Sequence, residues 1–105
     1  MERVRFERQY RTPYSEGYLM LEDDDRLGRL ELHFTPSIVY CTLVVERELS
    51  EDDILDLIQQ TDDELVLSAD VVREDFVVSV YQGTDLGTYS DDYFAGEEEE
   101  EDEEI

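Results

Sequence analysis

Apolar residues along the chain repeat with a period of two, then follow a helical period, then return to two. Residues 3–10 alternate. Val4, Phe6 and Tyr10 share one side, with Arg8 among them, and Arg3, Arg5, Glu7 and Gln9 share the other. Strict alternation predicts a half-buried strand. Thr12, Pro13, Tyr14, Ser15 and Gly17 read as a loop. Residues 18–21 form a short second strand, and residues 22–26 a polar turn. A third strand follows, with Leu30, Leu32 and Phe34 on one face and Arg29, Glu31 and His33 on the other. Residues 18–34 therefore read as a β-hairpin. Pro36 and Ser37 break the pattern. Residues 38–45 are then apolar on both parities and rich in β-branched side chains, which predicts a central strand covered on both faces.

The helix start carries the clearest local signal. Ser50 is a good N-cap, and Asp53 stands in the capping-box position. Leu49 and Ile54 are placed to form a hydrophobic staple. Glu51, Asp52 and Asp53 lie in the first turn, where the helix dipole favours negative charge. Ile54, Leu57 and Ile58 form an apolar stripe with Leu55 at its edge. The helix is expected to stop near Thr61, because Asp62, Asp63 and Glu64 sit badly against its negative end. Residues 65–72 and 76–82 read as two further strands, although residues 66–69 also fit a loop. The predicted order is β-β-β-β-α-β-β, an α+β domain whose mostly antiparallel sheet packs on one helix. Small OB-like barrels share the last six of those elements. Residues 1–83 form the expected domain, and residues 84–105 a flexible acidic-aromatic tail.

Composition changes this picture through charge. The 105 residues hold 31 acids against eight bases, all arginine, for a net charge of −23. Residues 97–104 are acidic without interruption. Removing them still leaves the remainder at −15, so the folded part is acidic too. Direct contact with nucleic acid or anionic membrane is disfavoured, because both are bound through Lys and Arg. The cluster Arg3, Arg5, Arg8 and Arg11 is the one reservation. No run approaches the roughly 18 apolar residues of a membrane span. The first residues lack the apolar core of a secretory signal. A cytoplasmic protein is expected, and a lone cysteine in an apolar run fits that setting.

Candidate chemistry is sparse. Cys41 and His33 are the sole Cys–His pair, with no third orienting group indicated. Carboxylates are so numerous that no pair stands out as catalytic. Asp23, Asp25 and Gly28 match three positions of an EF-hand loop, but Leu27 and Phe34 fall where ligating oxygens are needed. No Gly-rich phosphate loop is present, and no lysine exists to serve one. The expectation is a non-enzymatic protein without cofactor or metal.

Two readings of the acidity remain. In the first, the protein binds a basic protein partner, as nucleic-acid mimics and inhibitors of basic proteins do. The candidate contact residues are Asp23, Asp24, Asp25, Glu51, Asp52, Asp56, Asp62 and Asp63. From the tail come Tyr89, Asp91, Asp92, Tyr93, Phe94, Glu97, Glu98, Glu99 and Glu100, where aromatics between acids can anchor in a basic groove. In the second, the charge answers a concentrated-salt solvent, and the domain is an accessory or structural subunit. The tail itself reads as a solvated extension, a tether, or a segment folding back on the N-terminal arginines. Sequence leaves the oligomeric state open.

Overall fold

A computed structural model describes residues 1–69 and 73–92. Five strands form one sheet in the order β1-β2-β3-β4-β5: β1 (Val4–Arg11), β2 (Ser15–Glu22), β3 (Asp25–Phe34), β4 (Ile38–Val45) and β5 (Asp75–Gln82). The first four form an antiparallel meander, and β5 pairs parallel to β4. Helix α1 (Glu51–Thr61) lies in the connection between them. A parallel neighbour needs such a crossover, because a tight turn cannot return the chain in the same direction. The result is a mostly antiparallel sheet in an α+β domain. It is an open sheet with β1 and β5 at its edges, so the barrel alternative does not hold.

One face of the sheet is the core. Val4, Tyr18, Met20, Leu30, Leu32, Val39, Cys41, Leu43 and Val45 are buried there with Leu57 and Val66 from the helical layer. The other face is open, which corrects the expectation for residues 38–45. Tyr40 is 43% exposed, and Thr42 and Val44 are half-buried. The apolar run does not mark cover on both sides, because one helical layer covers one face.

Two β-bulges move side chains between faces. The register of β1 against β2 shifts between Arg8 and Tyr10. Tyr10 therefore leaves the side of Val4 and Phe6 and lies over Gly17 on the open face. A Cβ on Gly17 would stand 2.0 Å from the Tyr10 ring, so the ring lies in this place because Gly17 has no side chain. A second shift follows Met20, where Leu27 and Gly28 oppose one residue. It turns Leu27 into the core and brings Gly28 against β4, where a Cβ would lie 1.9 Å from the Val44 carbonyl oxygen. One extra residue reverses the facing of every residue after it in the strand, a change that alternation cannot show.

Helix α1 begins as expected. The Ser50 hydroxyl accepts a hydrogen bond from the Asp53 N–H at 3.1 Å, and Leu49 packs against the core. It ends at Thr61, but the chain does not leave the helical path. A π-helical turn (Asp62–Val66) and a 3-10 turn (Leu67–Ala69) follow. The strand expected over residues 65–72 is therefore absent across 65–69, and residues 70–72 lie outside the described residues. Partners hold the acids at the helix end, two of them through ion pairs. Both Arg73 terminal nitrogens donate to the two Asp62 oxygens at 2.6 and 2.9 Å, Gln59 donates to Asp63 at 3.0 Å, and Arg3 donates to Glu64 at 2.7 Å. With two of the three charges compensated, Leu57, Thr61, Leu65 and Val66 continue one inward helical row.

Candidate binding surfaces

The helical layer is uniformly acidic. Residues 51–66 contain seven acids and no base. Asp52, Asp56 and Asp63 are exposed, and Leu55, 55% exposed, stands between the first two. With a 1.5 Å rise per residue, Asp52 and Asp56 are about 6 Å apart along the axis. Leu57 and Thr61 face the opposite way into the core, so amphipathicity itself fixes this outward row. Asp62 turns aside to Arg73 and does not join it.

The tip of the β2–β3 hairpin adds to the layer at one end. Asp23, Asp24 and Asp25 are exposed there. Asp23 takes a positive φ of 54° at the first position of a two-residue loop, a conformation that Asp tolerates better than most residues. Hydrogen bonding and repulsion from Asp23 hold the Glu2 carboxyl above the usual carboxylate range. Arg47, bonded to Glu22, also feels the charges of Asp25 and Asp53. Hairpin tip and helix N-terminus thus meet around a single arginine.

Arginines are spent within the molecule. Seven of the eight lie within 4.0 Å of a carboxylate among the described residues. Arg8, the eighth, lies beside the Tyr18 hydroxyl, which donates to Glu16. Arg5 and Arg29 lie on the open sheet face beside Glu7 and Glu31. Arg26 holds Glu46 and Asp85.

Asp85 ties the segment after β5 across the open face. It accepts from Arg26 at 2.6 Å and from the Gly87 N–H at 2.7 Å, and stands 3.8 Å from Arg29. The Gly87 amide and Arg26 hold its carboxyl below the usual range. Beneath lie shallow cavities lined by Arg29, Thr42 and Val44, and by Tyr10, Leu19 and Thr88. Tyr89, Asp91 and Asp92 continue from here and are exposed. The candidate contact residues therefore divide. Those at 23–25, 51–56 and 63 share the acidic layer, whereas Tyr89, Asp91 and Asp92 follow a segment laid over the other face. Tyr93, Phe94, Glu97, Glu98, Glu99 and Glu100 lie outside the described residues.

No catalytic constellation assembles from Cys41 and His33. His33 pairs with Tyr40, and Leu32 with Cys41, which puts the two side chains on opposite sheet faces. Burial pushes the Cys41 thiol up to about 12. Among the described residues no group of three or more His, Cys, Asp or Glu converges to hold a metal ion. No helix among them is long and apolar enough to cross a membrane. No protein-family model, curated protein or solved structure matches this chain.

Proposed function

We propose that this is a non-enzymatic acidic binding protein whose helical layer engages a basic protein partner. The observation that carries the reading is an outward row of carboxylates on the helical segment with no arginine partner among the described residues. The helical segment has acids and no base of its own; Arg73 and Arg3 pair with Asp62 and Glu64 at its end, while the outward Asp52, Asp56 and Asp63 have no arginine within 4.0 Å among the described residues. A solvent adaptation needs acidity without a location; this acidity has one. Asp52, Asp56 and Asp63 supply the charged row, Leu55 an apolar contact within it, and Glu51 with Asp23, Asp24 and Asp25 extend it at one end. Such a field speeds association roughly 10- to 1,000-fold at low salt. A surface that otherwise takes phosphates is a fitting target, which makes inhibition by occupation the natural consequence. A cytoplasmic setting agrees with this role.

The test is retention of proteins from a source lysate on immobilised chain at low salt. Asp52→Asn/Asp56→Asn/Asp63→Asn is run beside Glu7→Gln on the opposite face. A basic protein retained by wild type and by Glu7→Gln, eluted by salt and lost with the triple variant, supports the proposal. Equal retention by all three chains overturns it.

A further inference from the structure

The two edges of the sheet are treated differently. The β1 edge is blunted. The Gln60 side chain brackets Val4, accepting from its N–H at 3.1 Å and donating to its carbonyl, and so takes the place of a neighbouring strand. Arg5, Glu7, Arg8 and Arg11 charge the rest of the strand, and a bulge interrupts it. Beyond its first two residues, where the Asp75 carboxylate accepts from the Phe76 N–H, strand β5 has none of these devices. It runs eight residues in unbroken register, without bulge or proline, and its one charge is Asp75 at its start.

The hydrogen bonding shows which groups this edge presents. The Gly83 N–H donates to the Val45 carbonyl, so the odd-numbered residues of β5 direct their backbone groups to β4. The even-numbered residues, Phe76, Val78, Val80 and Gln82, direct theirs outward. Consistent with this, the Phe76 N–H is capped by the Asp75 carboxylate at 2.8 Å. Among the described residues no backbone group pairs with this outer edge. A long, regular, weakly charged edge is a template for another strand, and proteins normally blunt or cover it.

We propose that a second copy of this chain pairs with β5 antiparallel about a two-fold axis at Ser79, joining two sheets into one of ten strands. The self-pairing is consistent from Val77 to Tyr81, and at its ends the Phe76 N–H would exchange the Asp75 carboxylate for the other copy. Val78 meets Val80 of the partner subunit through outward backbone groups. Val77 meets the partner subunit's Tyr81 in a non-hydrogen-bonded pair on the open face, where side chains come closest. Val77 and Tyr81 are 38% and 59% exposed in the single chain. Charge selects the same edge. Copies of a chain at −23 repel wherever carboxylates face each other. Here Asp75 falls opposite Gly83 of the partner subunit, at the far end of the pair. A basic peptide finds little on β5 to attract it. The axis stands perpendicular to the sheet, so both acidic layers emerge on one side.

The test is sedimentation equilibrium of the full chain at low and at molar salt, together with single-cysteine cross-linking. A species of twice the chain mass, favoured by salt through screening, is expected. Ser79→Glu sets two carboxylates opposite each other and should weaken association several-fold. Under oxidation Ser79→Cys should cross-link to itself. Val77→Cys and Tyr81→Cys should cross-link only when mixed, with buried Cys41 silent. A monomer at every salt and concentration overturns the proposal. So does a dimer that Ser79→Glu leaves intact, one in which Ser79→Cys fails to cross-link, or an edge occupied only by an added basic peptide. The cysteine pairs report on register even if Ser79→Glu does not fold.

Discussion

Gly28 sits where β3 presses against β4, and the space beside it is already occupied by the Val44 carbonyl oxygen. A backbone oxygen cannot rotate away as a flexible side chain can. Gly28→Ala should therefore destabilise the fold by more than about 2 kcal/mol, measured by urea unfolding, the upper range of overpacking costs. If Gly28→Ala unfolds with the wild-type midpoint, the bulge geometry is wrong. Cys41 and Tyr18 make a second residue-scale prediction. Burial raises both, each to about 12, and Glu16 adds to the effect at Tyr18. In the unfolded chain these groups ionise at their ordinary values near 9.0 and 10.0. A raised folded value means stability is fully present below the unfolded value and is lost as pH rises through the folded one. Stability should thus hold near neutrality and fall between about pH 9 and pH 12. Replacing Cys41 with Val should flatten part of that fall, as followed by denaturant midpoints across pH. Alternation shows which residues of β3 point inward, but not that Leu27 and Tyr10 change sides. Those reversals depend on backbone register, which no side-chain pattern records.

Elements that depend on neighbouring residues are legible in the sequence, and elements that depend on distant partners are not. Ser50, Leu49 and Ile54 define the start of α1 within six positions of one another. Its continuation past Thr61 depends on Arg73, eleven residues beyond Asp62, and on Arg3 from the other end of the chain. The acids there read as a stop signal only while their partners are unknown. The apolar spacing from Leu57 to Leu65 is the one sign in the sequence that the helical path goes on. The segment after β5 obeys the same logic. Its composition suggests a flexible lead-in, and its anchor is a contact from Asp85 to Arg26, 59 residues away. Asp85→Asn should free residues 84–88 while leaving the sheet in place. Amide exchange at Gly87 should accelerate, and exchange at buried Leu43 should not. Unchanged protection at Gly87 would mean that this carboxylate does not hold the segment.

At the scale of the molecule, the helical segment 51–66 carries seven acids and no base of its own, and three of those acids form an outward row without an arginine partner among the described residues. Acidity in the folded part is plain from composition, but the outward row of Asp52, Asp56 and Asp63 needs the helix to show its outer face. The candidate contact residues accordingly split, with residues 23–25, 51–56 and 63 together and Tyr89, Asp91 and Asp92 over the opposite face. A row of exposed carboxylates around Leu55 has the features of a docking surface: long-range attraction from the charges and short-range contact from the apolar residue. The most direct measurement is the affinity of the retained basic protein for wild type and for Asp52→Asn/Asp56→Asn/Asp63→Asn over a series of salt concentrations. Wild-type affinity should fall steeply with salt, and the variant should bind more weakly with a shallower slope. Equal affinities with parallel slopes would contradict the assignment of binding to the helical layer.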